Sequence, residues 1–517
     1  MGFSDMAAMG GEIKTPNLDA LADNGILYKQ FYNAARSCPT RASLMTGLYP
    51  HQAGMGWMTA ADLGTESYAG ELNQNCVTIA EVLKDSGYNT YMSGKWHLDS
   101  DKNSRQDGDK SAWPLQRGFN RFFGTLAGSG SYYTPNALTS QNTLIEAPEG
   151  FYYTDAISDT AVSMIVENRP SGSPFFLYVA YTAPHWPLHA YKKDFEPYIK
   201  MYSGGWDSIR LERYKRQKEM GIIDASWNLS TRNPSAKAWD SLTAAEKEEM
   251  TLRMAIYAAQ VEVMDRGMGR IISELKKEGI LDNTLIFFLQ DNGACAEFMT
   301  GSNRDPAVFG TNESFESYRL PWANASNTPF RLFKHWTHEG GISTPLIIHW
   351  PQSVANPGRM SDRPGILMDI MATCVDVAHA RYPSQYKGKK IHPMEGESLL
   401  PSIRNKNDER HSAIFWEHEA NRAVRDGEWK LVLKASEIYP FDGKWELYNM
   451  RDDRTETNDL AGTYPEKVKE MKNMWENWAQ RIGVYPLDNR PWNVRLSHPD
   501  AIAVKYLEEK KAGEEGK

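Results

Sequence analysis

Apolar runs of strand length alternate along this chain with segments whose apolar residues recur every three or four positions. The runs at 174–181, 284–290 and 345–350 are almost continuously apolar, the pattern of strands covered on both faces. Thr243 and Glu246 are spaced as a capping box. They open a predicted helix that runs to about 278 with Met254, Tyr257, Val261 and Met264 on one face. The segment 78–87 reads as a short amphipathic helix closed by Gly87, and 88–93 as the strand after it. This alternation predicts an α/β fold, a mainly parallel or mixed sheet sandwiched by helices. Ligands of open α/β sheets bind beyond the carboxyl ends of strands, which directs attention to the polar residues that follow the apolar runs. Near residue 405 the pattern changes. Residues 421–425 and 428–434 flank Asp426-Gly427, a hairpin signal, and are followed by a strand at 445–450 and an amphipathic helix at 465–482. The reading is a catalytic domain over 1–404 and a smaller C-terminal α+β subdomain with an antiparallel sheet over 405–517. The charged tail at 508–517 is expected to fray.

Composition narrows the function. A chain of 517 residues exceeds one domain of ~100–200 residues. With 58 Lys+Arg against 66 Asp+Glu and no long basic stripe, it is no nucleic-acid binder. No apolar run reaches the ~18 residues of a membrane span. The four cysteines, Cys38, Cys76, Cys295 and Cys374, include no CxxC pair and read as reduced core residues rather than a disulfide framework or a zinc ribbon. The chain opens on MGFSD, with neither a signal peptide nor an opening strand.

Six stretches carry candidate chemistry. In ARSCPTRASLMTG, Pro39 suits the first turn of a helix, which places Ser37 and Cys38 at its positive end with Arg41 one turn on. The other reading is a capped helix with a surface arginine. In SGKWHL, Lys95 and His97 share one face of an extended segment and can reach one leaving group, or they are a solvated lysine beside a packed histidine. His185, in APHWP, follows a strand between two prolines, either as an active-site group or as a satisfied core residue. Asp291 and Asn292, in QDNG, offer neighbouring oxygens to a hard cation, or form a simple turn. Lys334, in KHWTHEGGISTP, precedes a Gly-Gly turn as an anion ligand or a surface charge. Last, WEHEANR brings Glu417, His418 and Arg422 from the small domain towards the same cleft.

Together these motifs resemble the type I sulfatases, the arylsulfatase-like, formylglycine-dependent group of the alkaline-phosphatase superfamily. The resemblance runs through MGFSD, GGEIKTPNLDALADNG, SCPTRASLMTGLYPHQAG, GKWHL, APHWP, FFLQDNGACAE, FKHWTHEGGISTP, MDIMATCVDVA and WELYNMRDDRTETNDLA. The family's modification motif has Cys or Ser, then Pro and Arg at alternate positions. Aligning Pro39 and Arg41 puts Ser37, not Cys38, at the modified position. A serine there implies a bacterial serine-type enzyme matured by a radical-SAM enzyme, unless it replaces a natural cysteine.

The resemblance implies a sulfuric ester hydrolase acting on a sulfated carbohydrate or an aryl sulfate. The gem-diol of formylglycine at Ser37 attacks sulfur, while a cation, Lys334 and Lys95 balance charge on the sulfate oxygens. Arg41 orients the diol, His185, together with Lys95, protonates the leaving alcohol, and His97 helps release sulfate. The implied cation is Ca2+, with Mg2+ possible, on Asp291, Asn292 and the Ser37 oxygen. The family also has an aspartate pair on a first core strand immediately before the MGFSD segment. The expectation is therefore a truncated chain with weak metal binding and little activity, whose parent is periplasmic or secreted. The rival functions are a phosphonate or phosphate ester hydrolase of the same superfamily and an impaired sulfated-glycan-binding homologue. Long inserts over 202–241 and 298–331, with Glu417, His418 and Arg422, are expected to shape the alcohol side of the pocket.

Overall fold

A computed structural model describes residues 1–406 and 409–515. Nine strands build two sheets in its larger part: β1 (Ile26–Tyr28), β2 (Asn89–Gly94), β3 (Arg121–Thr125), β4 (Leu138–Ser140), β5 (Thr143–Leu144), β6 (Phe175–Ala180), β7 (Ile286–Phe288), β8 (Leu346–His349) and β9 (Arg359–Ser361). One sheet has the order β5-β4-β3-β2-β6, with β2 parallel to both β3 and β6. The other has the order β9-β1-β8-β7, in which β1 runs parallel to β9 but antiparallel to β8. The apolar runs at 284–290 and 345–350 also pair antiparallel, with Phe287 opposite Ile348. The sheets are thus mixed. A continuous apolar run reports burial on two faces, but strand direction is set by the connection.

Helices α1 (Ser37–Thr46), α2 (Ile79–Asp85), α3 (Tyr153–Asn168), α4 (Ala244–Lys277) and α5 (Met368–Val377) cover the sheets. Both capping boxes close as the chemistry requires. Thr243 accepts from the Glu246 amide at 3.2 Å while its own amide donates to the Glu246 carboxylate at 2.8 Å, and Thr78 and Glu81 do the same on α2. Outer strands β6 and β7 line one apolar cavity of about 790 Å³, together with Leu44 and Met45 of α1, Ile370 of α5 and Met264 and Met268 of α4. Most side chains of β6 and all those of β7 are consequently only half-buried, although their sequences are those of central strands.

The C-terminal part is an antiparallel meander of β10 (Ile414–His418), β11 (Asn421–Asp426), β12 (Trp429–Leu433) and β13 (Trp445–Asn449), backed by α6 (Pro465–Ile482). The Asp-Gly signal forms as a two-residue connection, with Asp426 opposite Trp429 and Gly427 at φ 54°. β10 lies inside the polar stretch read as a candidate site, and its sequence alone did not mark it as a strand. The sheet shares one hydrophobic core with the larger part, and the Trp416 indole donates to the Asn33 carbonyl at 2.9 Å. The charged tail continues a helix, and its residues 508–512 are exposed. Residues Ala501–Glu515 form a helix, docked through buried Ala503 and a Tyr506–Tyr485 stack, and residues 516–517 lie outside the described residues.

Candidate active site

The first polar residue of α1 is Ser37, and Arg36 ahead of it is extended, with φ −149° and ψ 158°. All 10 residues of the helix are buried, so polar groups at its start must find partners within the protein. Arg41 lies one helical turn on, and its guanidinium fork ties three elements together. Nε donates to Ser37 Oγ at 3.0 Å, one terminal nitrogen to the Lys95 carbonyl at 2.6 Å, and the other to Asp291 Oδ2 at 3.2 Å. The hydroxyl of Tyr178, on β6, lies 3.3 Å from the same guanidinium.

Lys95 and His97 both follow the end of β2. His97 holds a backbone φ of 55°, uncommon for a residue with a side chain. Its Nδ1 lies 3.4 Å from Ser37 Oγ and its Nε2 3.1 Å from Cys38 Sγ. The ring presses on Gly128, where a Cβ would fall 2.2 Å from it. His185 follows β6. Its Nδ1–H donates to the Trp186 carbonyl at 2.8 Å, which turns Nε2 towards Lys334 Nζ at 3.5 Å. Lys334 pairs with Glu297 at 3.1 Å, and the same carboxylate takes the Trp186 indole at 2.7 Å and Arg36 at 3.1 Å.

Arg41, Lys95, His185, Asp291 and Asn292 line a cavity of about 60 Å³, with Ser37 one hydrogen bond behind Arg41. At ~30 Å³ per water that is room for two waters or one small tetrahedral anion. Its electrostatics favour an anion. Burial, with Arg41 beside it, pushes the Lys95 ammonium down to about 7. Burial and Lys95 hold His97 well below the usual imidazole range, and burial and Lys334 do the same to His185, so both rings are neutral near pH 7. Burial alone would raise Asp291, but Arg41 and Lys95 override it and keep the carboxyl ionised.

For a hard cation the donors are few. Asp291, Asn292 and Ser37 offer three protein oxygens against the ~6–8 that Ca2+ takes, and the one carboxylate is already shared with Arg41. The Asn292 amide N–H is spent on the Gly293 carbonyl. Asp5 does not join them. It is fully buried between Arg213 at 2.8 Å and the Tyr257 hydroxyl at 2.7 Å. Among the described residues these donors do not by themselves make a Ca2+ or Mg2+ site.

Ser37, Arg41, Lys95, His97, His185, Asp291, Asn292 and Lys334 therefore converge, as the motifs suggested. Glu417 and Arg422 do not. Glu417 turns into the core, bound by His51 at 2.7 Å and the Ala420 amide at 2.6 Å, while Arg422 holds the Phe441 carbonyl and Asp442. The two sit directly opposite each other in the β10–β11 pairing and so share one face of the sheet, and β10 was not recognised as a strand. His418 is wholly buried. Of the inserts, the second supplies Ser317 and Tyr318 to the cavity, whereas the first contributes Arg213 as a brace for Asp5. Sequence reading missed Glu297, the anchor of Lys334. Its one signal is an acidic residue at the end of the apolar ACAE stretch, six positions beyond Asp291.

Comparison with known proteins is consistent along the chain. The family profile described as Sulfatase matches residues 1–380, and the profile described as N-sulphoglucosamine sulphohydrolase, C-terminal, matches residues 330–481. An uncharacterized sulfatase of Schizosaccharomyces pombe is 31% identical over 540 aligned positions, which cover 96% of this chain and 95% of that protein. An arylsulfatase of Klebsiella aerogenes is 33% identical over 77% of this chain and 89% of its own length. Among solved structures, the crystal structure of Ps i-CgsB in complex with k-i-k-neocarrahexaose superposes with a TM-score of 0.69 at 25% identity, covering 97% of this chain and 95% of that one.

Proposed function

The chain belongs to the sulfatase family and is a sulfuric ester hydrolase, and on that premise we propose that the Ser37 site removes sulfate from a carbohydrate, after oxidation of Ser37 to formylglycine. The observation that carries this reading is the Ser37 hydroxyl held at 3.0 Å by Arg41 and at 3.4 Å by His97, beside a small cavity lined by cations. An oxidised Ser37, when hydrated, supplies one hydroxyl to attack sulfur and a second whose deprotonation lets sulfate leave without water attacking sulfur. The protein's own groups do the rest. Arg41 fixes the direction of attack, and Lys95 and Lys334 offset the charge on the sulfate oxygens. Neutral His97 takes the proton from the Ser37 side. For the alcohol that departs, the donor is Lys95 or the Lys334–His185 pair, whose Nζ–H points along the 3.5 Å contact to Nε2.

A sulfated sugar is favoured over a free aryl sulfate because the structural relative Ps i-CgsB is seen with a neocarrahexaose. The proposal includes maturation by a radical-SAM enzyme acting on Ser37 and work in a periplasm or outside the cell. No helix among the described residues is long and apolar enough to cross a membrane. Asp291, Asn292 and the Ser37 oxygen are the atoms a calcium or magnesium ion would meet. No step above depends on such an ion, and calorimetric titration of this chain with Ca2+ is expected to give weak binding.

Two measurements test the reading. Peptide mass analysis of protein made beside a maturase should show Ser37 two hydrogens lighter, or that aldehyde plus water. Unaltered serine would sink the formylglycine claim. Position-defined sulfated mono- and disaccharides, run against p-nitrophenyl sulfate, phosphate and phosphonate, should release sulfate fastest from a sugar. Faster turnover of the phosphonate would instead place the chain with the superfamily's other hydrolases.

A further inference from the structure

Left-handed backbone recurs within one cluster outside the cavity. The β10–β11 hairpin is closed by Glu419-Ala420, with His418 opposite Asn421, and both turn residues have left-handed φ, 50° and 59°. That type I′ geometry usually takes Asn-Gly. Glutamate and alanine, which carry a Cβ, are disfavoured there. His335, the residue after Lys334, is also left-handed, at φ 99°. Its Nδ1 contacts Glu419 Oε2, and His418 Nε2 lies 3.9 Å from the same oxygen. One donor atom from each of the three residues lies within 4.8 Å of the other two. Conformations this unfavourable persist where the surroundings hold them for a purpose.

The surroundings do hold them. Glu419 Oε1 accepts from the Trp57 indole at 2.7 Å and from Arg495 at 2.6 Å, which fixes the carboxylate plane and leaves Oε2 facing the two rings. His418 is 0% exposed, and neither of its ring nitrogens has a hydrogen-bond partner. A buried polar side chain in that condition is destabilising unless something binds it. Two imidazoles and one carboxylate, with the carboxylate oriented by neighbours, are the donor set of a three-ligand zinc-class site, whereas calcium takes oxygen ligands. Arg36 is the neighbouring cation, 3.9 Å from Oε2, and an incoming ion would have to displace it from that oxygen. The other end of Arg36 reaches Glu297 and, through it, Lys334.

We propose that His335, His418 and Glu419 form a site for one divalent transition ion of the zinc class, distinct from the oxygens of Asp291 and Asn292, with a fourth position left for water or a ligand oxygen.

The test is titration of chelator-treated full-length protein with Co2+, followed by visible absorption, and with Zn2+, followed by calorimetry. The expected result is one equivalent per chain, with the absorption of four- or five-coordinate cobalt, unmoved by excess Ca2+ and retained in D291N. His335 is partly exposed, so H335A should fold normally by circular dichroism. It and E419Q should each weaken Co2+ binding by about 100-fold or more, beyond the usual ~10–100-fold effect of a residue that only orients a ligand. H411A, an exposed histidine elsewhere, serves as the control. Absence of the cobalt signal in the wild type, its loss in D291N, or its survival unchanged in folded H335A and E419Q would each overturn the proposal.

Discussion

The Lys95 ammonium, pushed down to about 7 by burial and by Arg41, makes the charge of the cavity depend on pH in the neutral range. The charged form is the one below that value. As pH rises through about 7 the cavity loses one positive charge and one donor, so kcat/KM on a sulfate ester should fall along an alkaline limb with an apparent pKa near 7, the value for the free enzyme. K95M should remove the limb and lower kcat/KM by roughly 10²–10⁴, the span of a lost general acid. A pH–rate profile of both proteins checks this, and an unchanged limb in K95M would assign it to another group. Arg41 is the complementary case, because geometry rather than titration is at stake. R41K keeps a charge but has a single point of attachment where the guanidinium ties Ser37, the Lys95 carbonyl and Asp291 together. Its kcat should fall on the order of 10²-fold, as misplacement by about 1 Å does, with the fold intact by circular dichroism.

At the scale of elements, the site is a set of strand ends and one helix start, and it was legible to that extent. The apolar runs gave β6, β7 and β8, and the residues just past β2, β6 and β7 do meet the start of α1. The Thr243–Glu246 box and the Asp-Gly turn could be read because each is a local chemical event within four residues. Glu417 and Arg422 could not be placed, because which face a residue takes depends on strand register, and β10 is a short strand whose partners lie beyond a strained two-residue turn. Antiparallel pairing of β7 with β8 was hidden for a similar reason, since direction is a property of the connection. The loop carrying Gly128 shows a further limit. Nothing in its sequence says that it must lie against His97, yet a Cβ at Gly128 would stand 2.2 Å from that ring. G128A should therefore push His97 off Ser37 and Cys38, lowering kcat by about 10-fold or more with little change in KM. A crystal structure or histidine NMR of the variant would show whether the ring moved, and normal kcat with a displaced ring would remove His97 from the mechanism.

At the scale of the molecule, a buried ionic cluster joins the C-terminal sheet to the cavity. Glu339 lies five residues after Lys334. It receives Lys430 of β12 at 2.8 Å, Arg454 at 2.8 Å and the Tyr32 hydroxyl at 3.2 Å, while Glu456 takes the same Lys430 at 2.8 Å. All four charged side chains are essentially inaccessible, so removing one partner leaves its neighbours charged and desolvated. E339Q should cost ~3–5 kcal/mol for that reason. Burial alone would raise the Glu339 carboxyl, but Lys430 and Arg454 override it and bring it down to about 2 from 4.5. A depressed carboxyl stabilises the fold in full above its unfolded value and loses that contribution as pH falls towards the folded one. The stability gap between wild type and E339Q, measured by chemical denaturation, should thus be constant from pH 8 to about 5 and shrink steadily below ~4.5, by on the order of 3 kcal/mol in all. Because the cluster braces the segment that carries Lys334, E339Q should also raise KM for a sulfate ester at pH 7 under conditions where the protein remains folded. A constant gap down to pH 3 would show that another carboxylate sets the acid limit, and an unchanged KM would show that the C-terminal sheet stabilises the fold without positioning Lys334.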